Sequence, residues 1–191
     1  MQNGVTFWTE GGPSIGMGHL MRCINIARAL VDMELPTHFL LNDERTVAER
    51  LDAEGFYHLN YPLTGLYSNK LTSEVVVIDT KRDVSAQVLS LKLDGRKVVL
   101  IDNATAAEAD AIIMPTAIRA VNGGKNLFSG VEYLIIGKNF QQARKDGHTH
   151  TVPLNVLVTM GGADPFNLTE KVVSALARIE GIEVTVVMGP A

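Results

Sequence analysis

Ser14-Ile15-Gly16-Met17-Gly18-His19-Leu20-Met21-Arg22 stands between an apolar run around Val5 and Phe7 and a long amphipathic segment, and its reading decides the fold. Val5, Phe7 and their neighbours predict a strand, residues 10–14 a loop, and Gly16 onward the start of a helix. A strand, a glycine loop and a helix in that order put the loop at the carboxyl edge of a parallel sheet, where open α/β folds collect their ligands. Gly16 and Gly18 let a backbone approach a ligand closely, and the helix start offers unpaired N–H groups and a positive dipole end to an anion. His19 falls in the first turn, facing that space, where a neutral imidazole can take a proton from water or a hydroxyl. Glycines ahead of a helix also serve as plain punctuation, and an isolated histidine is ordinarily structural. The dinucleotide fingerprint does not fit, because its third glycine position is Met21, so NAD is not expected.

Working outward, Leu20, Ile24, Ala27 and Val31 recur at three-to-four spacing and predict one buried helical face, with Arg22 and Arg28 off it. Cys23 lies four residues after His19, so the two can share a face; a Cys-His nucleophile is one reading and an ordinary buried thiol the other. Pro36 breaks the pattern. Residues 37–41 then predict a second strand, residues 44–54 a helix closed by a turn at Gly55, and residues 56–63 a short strand and loop. His38 and His58 near these strands are expected to pack or face solvent.

Glu74-Val75-Val76-Val77-Ile78-Asp79 is an unbroken β-branched run closed by a carboxylate. Such continuous apolarity belongs to a strand buried on both faces, hence to the centre of a parallel sheet. Asp79 is then on the same rim as His19. The pattern repeats at residues 97–103, ending in Asp102-Asn103, after a helix over residues 84–93. Two strand-end acids on one rim suit the orientation of a histidine or hydrogen bonds to sugar hydroxyls; for Asp102 the competing role is to cap the next element. Residues 110–114 and 132–136 predict two more strands, separated by a Gly/Asn-rich loop at 122–129. Residues 138–151 turn polar and predict a linker, which holds His148 and His150; a lone pair of histidines makes a weak metal site, so no metal is expected.

Past the linker a new βαβ unit begins, with a strand at 154–160, a turn at Gly161-Gly162-Ala163-Asp164, a helix at 167–179 and a strand at 182–187. Asn167 and Glu170 have the spacing of a capping box. Gly161 and Gly162 bring backbone N–H groups close to a bound group, much as the first loop does. Two such loops face to face describe a cleft for a phosphorylated ligand. The partition is therefore an N-terminal domain with its linker over 1–150 and the truncated start of a C-terminal domain over 151–191. So short a second unit cannot enclose its own core. Its strand edges and apolar faces are expected to fold back on the first domain, or to pair with a homodimer partner or a missing C-terminal half.

A chain of 191 residues is more than one average domain and less than two. Its 46% apolar content fills a core, and 20% charged residues with a net charge of −4 imply no broad attraction to nucleic acid or to an anionic membrane. One cysteine excludes an internal disulfide and fits a reducing compartment. No stretch reads as a signal peptide or a bilayer span, so the expected location is the cytoplasm.

Taken together, the segment from Ser14 to Cys23, Val77-Ile78-Asp79, Leu100-Ile101-Asp102, Tyr133-Leu134-Ile135-Ile136-Gly137 with Arg144, and Val158-Thr159-Met160-Gly161-Gly162-Ala163-Asp164-Pro165 with Asn167 resemble a known family. It is the UDP-2,4-diacetamido-2,4,6-trideoxy-β-L-altropyranose hydrolase of pseudaminic acid biosynthesis with its relatives among spore-coat polysaccharide biosynthesis proteins. The resemblance implies an α/β, glycosyltransferase-B-type fold similar to that of the transferase that makes lipid II, with the active site between Rossmann-like halves, so that 1–150 is the N-terminal Rossmann-like domain with its linker and 151–191 the truncated start of a C-terminal nucleotide-binding domain. It implies inverting hydrolysis of a UDP-amino-sugar without metal or other cofactor, His19 helping water to attack the anomeric carbon. Asp79 is the expected catalytic partner, and Gly16, Met17, Gly18, Arg22, Asp102, Gly161, Gly162, Asp164 and Asn167 the expected substrate-binding set. An inverting glycosyltransferase on the same scaffold and a non-catalytic sugar-nucleotide-binding fragment are the alternatives. Trp8 and Glu10 replace an Arg and an Asp common ahead of the glycine loop, Lys81 replaces a frequent aromatic, Asn103 breaks a pair of acids, and Phe140 stands where a tyrosine is usual. These departures bear on the sugar more than on the fold.

Overall fold

The structure is a computed structural model and describes residues 2–62, 73–106, 108–116, 125–142, 153–162 and 164–189. Seven strands form one sheet: β1 (Gln2–Thr9), β2 (Thr37–Leu41), β3 (His58–Asn60), β4 (Ser73–Asp79), β5 (Lys97–Ile101), β6 (Ala111–Met114) and β7 (Leu127–Ser129). Their order is β3-β2-β1-β4-β5-β6-β7, and every pairing is parallel. From β1 the chain builds one half of the sheet outward through β2 and β3, then returns to the other side of β1 with β4. The β1/β4 seam is thus the topological switch point, the position at which open α/β sheets leave a crevice beyond the strand ends.

Side chains alternate across the sheet because successive Cβ atoms point to opposite faces. Phe7, Phe39, Leu41, Val77 and Ile101 join Leu20, Cys23, Ile24 and Ala27 of α1 (Gly18–Val31) and Val47 and Leu51 of α2 (Arg45–Glu54) in one core layer. Trp8, Leu40, Val76, Ile78 and Leu100 join Val84 and the Val88 and Leu91 side chains of α3 (Ser85–Leu93) in the other. Full burial of each large apolar side chain contributes about 1.5–3 kcal/mol, so the β1 and β4 residues that serve both layers anchor the rim above them. Trp8, fully buried, also donates its indole N–H to the Tyr61 carbonyl at 2.8 Å.

Several expectations need correction. The first helix starts at Gly18, not Gly16, and Val31 is half exposed while Cys23 takes a place on the buried face. Residues 132–136 are not a strand. Gly130, at φ 138°, ends β7, and a 3-10 turn (Val131–Tyr133) follows, leaving Leu134 and Ile136 about half exposed. The outermost strand instead comes from the stretch read as a loop, where Leu127–Ser129 pairs with β6. Residues 138–142 form a short helix, α4 (Lys138–Gln142); Arg144, His148, His150 and the linker boundary near 150 lie outside the described residues.

A second, two-stranded parallel sheet joins β8 (Leu154–Thr159) to β9 (Ile182–Val187), with α5 (Leu168–Leu176) between them in the chain. Among the described residues of this unit only Val158 is buried. The unit touches the first one at Gly162, where an added Cβ would lie 3.5 Å from the Met17 backbone nitrogen and 3.9 Å from the Gly16 Cα. The two glycine loops therefore meet.

Candidate active site

The loop after β1 is held from both ends. Gly12 and Gly16 bridge each other, the Gly16 N–H donating to the Gly12 carbonyl at 2.7 Å, and both have positive φ (130° and 84°), which a side chain would strain. Asn42, at the end of β2, clasps Gly11 from the side, accepting its N–H at 3.0 Å and donating to its carbonyl at 2.8 Å. This clamp sets where α1 begins. Met17 precedes the helix without a side-chain cap, so the first-turn N–H groups carry no side-chain acceptor.

At the second position of α1, His19 meets the end of β4. Its Nδ1 lies 2.6 Å from Asp79 Oδ1. Asp79 is fully buried, whereas the His19 side chain keeps 12% of its surface exposed. Arg22, one helical turn on, donates from Nε to Asp79 Oδ2 at 2.9 Å and from Nη2 to Asp79 Oδ1 at 2.7 Å, and reaches with Nη1 to Asp102 Oδ2 at 3.0 Å. Lys81 Nζ lies 2.7 Å from the same Asp102 oxygen. Burial works against the Asp102 carboxylate, yet hydrogen bonds and charge from Lys81 and Arg22 outweigh it and hold its pKa below the ordinary range. Burial likewise opposes the Arg22 charge, but Asp79 and Asp102 raise its pKa above the usual value. Asp102 thus takes two cations with its side chain instead of capping the next element.

Across the seam, on the other side of the rim, a second polar cluster forms. The buried Glu10 accepts from the Thr80 hydroxyl and, at 2.8 Å, from Arg82 Nε. Asn103 fixes the turn beneath it by donating to the carbonyls of Thr80 and Arg82, each at 2.7 Å. Sequence reasoning noted Glu10 but missed Thr80 and Arg82. Their signal was position: Thr80 directly follows the strand-end Asp79, and Arg82 lies two residues further on.

Cys23 is no nucleophile. Burial foremost, and then the Asp79 charge, push its thiol pKa well up, and its Sγ lies 4.0 Å from Asp79 Oδ2 in a fully buried position.

The second glycine turn also differs from expectation in its cap. Asn167 has φ 49° and makes no capping bond to the backbone; its amide donates to Glu170 Oε2 at 2.5 Å. The helix is capped by Asp164, whose oxygens accept the N–H groups of Leu168 at 2.8 Å and Thr169 at 2.9 Å. A hydrogen bond from the Thr169 side chain foremost, and then those two backbone bonds, draw the Asp164 pKa down. A cavity of about 450 Å³ opens where the loops meet, walled by Gly12, Pro13, Met17, Met21, Arg50 and Gly162. Another of about 460 Å³ lies on the far side of the turn, walled by Gly161, Gly162, Asp164, Asn167, Thr169 and Glu170 among others. The expected site residues therefore fall into two groups. His19, Arg22, Asp79 and Asp102 interlock directly; Gly161, Gly162, Asp164 and Asn167 surround a separate cavity, joined to the first group through the Gly16 to Gly18 segment. Among the described residues no cluster of three His, Cys, Asp or Glu side chains could hold a metal ion, and no helix is long and apolar enough to cross a membrane.

The fold and site together define a Rossmann-like α/β protein with a buried carboxylate, an imidazole and a guanidinium gathered at the switch point of its sheet. No family model matches the chain. It is similar to the spore coat polysaccharide biosynthesis protein SpsG of Bacillus subtilis, 27% identical over 194 residues, covering 94% of this chain and 56% of that protein. It is also similar to an uncharacterized protein of Methanocaldococcus jannaschii, 24% identical over 205 residues, covering 95% of this chain and 42% of that one. The chain thus spans about half the length of the curated relatives it matches. Among solved structures, MurG of Acinetobacter baumannii superposes with a TM-score of 0.57 at 14% identity, over 98% of this chain and 68% of that one. The shared property is the fold.

Proposed function

We propose that this chain is the N-terminal, catalytic-base-bearing part of a nucleotide-sugar hydrolase that acts on a UDP-amino-sugar in surface polysaccharide or nonulosonic acid biosynthesis. The observation that carries this reading is the 2.6 Å contact between His19 Nδ1 and Asp79 Oδ1 at the switch point. With Nδ1 engaged by a carboxylate, Nε2 is the free ring nitrogen and an acceptor, which is the form a general base needs. The likeness to a spore coat polysaccharide biosynthesis protein supports the substrate class.

In this reading His19 Nε2 takes a proton from a water molecule as the water oxygen bonds to the anomeric carbon. The carbon–oxygen bond to the diphosphate breaks on the opposite face, its electron pair leaving with UDP, and configuration inverts. The proton then passes from the imidazole to solvent. UDP is already a good leaving group, so positioning of water and support for the departing charge supply most of the acceleration. The Gly16 to Gly18 and Gly161 to Gly162 backbones are the proposed cradle for the sugar and phosphate oxygens. Leu168 and Thr169 N–H groups, already taken by Asp164, are not part of it. Asp164 and Glu170 favour hydroxyl donors in the far cavity, and the nucleotide's ribose is the proposed occupant there.

Release of UDP from a UDP-amino-sugar with no acceptor present, followed by proton NMR of the first-formed sugar anomer, tests the reading. Inverted sugar and free UDP support it. UDP release only after a sugar or lipid acceptor is added supports the second reading, an inverting glycosyltransferase, which the fold shared with MurG favours.

A further inference from the structure

Arg22 was expected to contact substrate, yet its guanidinium is spent inside the protein. We infer that Arg22 is a positioning residue, which locks Asp79 in the one orientation that fixes the His19 tautomer. The inference uses the site geometry and rests on the proposed role of His19 only for its consequence in catalysis.

The Arg22 fork meets both oxygens of Asp79, at 2.9 and 2.7 Å, so the carboxylate plane cannot rotate without breaking two charge-assisted bonds. Its remaining arm is anchored on Asp102 at 3.0 Å. Arg22 Nη2 also lies 3.0 Å from His19 Nδ1. An arginine only donates, so a bare Nδ1 would accept from Nη2 and leave two acceptors, Nδ1 and Oδ1, facing each other 2.6 Å apart. A proton on Nδ1, directed at Oδ1, removes that conflict, and Nη2 then serves Oδ1 rather than the ring. Both donors converge on one carboxylate oxygen. Arg22 and His19 are three residues apart on α1, on the same side of the helix, so the register of the helix fixes the relation. Asp102 and, through it, Lys81 hold the far end of the fork.

Free histidine in water prefers the Nε2–H form, so the opposite tautomer in the folded chain has to be imposed. Long-range nitrogen–proton NMR on the full chain, at a pH where the ring is neutral, reads it directly. In the wild type His19 is expected as Nδ1–H. Arg22→Gln should release Asp79 and shift His19 toward Nε2–H, with a lowered melting temperature because the buried Asp79 carboxylate loses its counter-ion. Arg22→Lys, a point donor that cannot fork, should give a mixture between the two, and it decides the matter if Arg22→Gln does not fold. On activity, both variants should lower kcat more than they raise KM. An unchanged Nδ1–H tautomer in the folded variants would overturn the inference, as would Nε2–H in the wild type. A change in tautomer in a chain that never hydrolyses a UDP-sugar would leave the positioning role intact and count against the proposed reaction alone.

Discussion

His19 Nδ1 and Asp79 Oδ1 are 60 positions apart in the chain and 2.6 Å apart in space, so the first helix and the central strand are tied at the rim where ligands of open α/β sheets bind. The tie is asymmetric. Asp79 is sealed from water while His19 keeps an exposed edge, which makes Asp79 a support and His19 the group able to meet a reactant.

That asymmetry separates the two strand-end acids. Asp79→Asn removes the buried one of the two carboxylates that Arg22 pairs with and should cost about 3 kcal/mol, because the guanidinium keeps only the part-exposed Asp102. Asp102→Asn, at a position one quarter exposed, should cost about 1 kcal/mol. Chemical denaturation of the two variants checks the order, and turnover should fall in the same order. A larger loss for Asp102→Asn would place the structural weight on the wrong strand.

Cys23 should behave as packing. In the folded chain its thiol should stay unmodified by a soluble aromatic disulfide reagent and react fully only after unfolding, since it is fully buried and its pKa is pushed up. Rapid labelling of the native protein would contradict this placement.

Acid should weaken the chain through particular carboxylates. Asp110 is held below its ordinary pKa: burial opposes the shift, but Lys92 at 2.7 Å and the Val98 N–H at 2.8 Å outweigh it. Asp102 is depressed as well. A depressed folded-state pKa stabilises above the unfolded carboxylate value, near 4, and the contribution disappears as pH falls through the folded value. Unfolding free energy from urea titrations should therefore fall below about pH 4, and Asp110→Asn should flatten part of that slope. Parallel pH profiles for parent and variant would remove Asp110 from the account.

The second glycine turn offers a test of shape. A Cβ on Gly189 would stand 2.2 Å from the Gly162 carbonyl oxygen, whereas one on Gly162 has 3.5 Å to its nearest neighbour. Gly189→Ala should push the turn out of place and raise amide exchange across β8 and β9, while Gly162→Ala should leave exchange near the parental rate. Equal effects would mean that this close approach is not what sets the turn.

Much of the fold was legible because its strands announce themselves. The β-branched run before Asp79 required a doubly buried central strand, and β4 has that place. The bounds of β2 and β9 were readable from the proline and glycine ahead of them. The failures have physical causes. Leu127–Ser129 is too short to show a period, and the apolar residues 131, 134 and 136 imitate a strand that Gly130 prevents. Asp164 outcompeted Asn167 as a cap because Asn167 takes a left-handed conformation, where its side chain turns to Glu170. In the site, His19, Asp79 and Asp102 could be named from their places at element ends. That Arg22 ties all three together depends on helix register against two strands, which spacing along one chain does not reveal.

The most direct test of the central claim is UDP release from a UDP-amino-sugar, without acceptor, by the parent and by His19→Ala, each alongside its thermal melt. The account predicts loss of release by at least about a hundredfold, the scale of general base catalysis, with the melting temperature almost unchanged because Arg22 still holds Asp79. Full release by folded His19→Ala would contradict it.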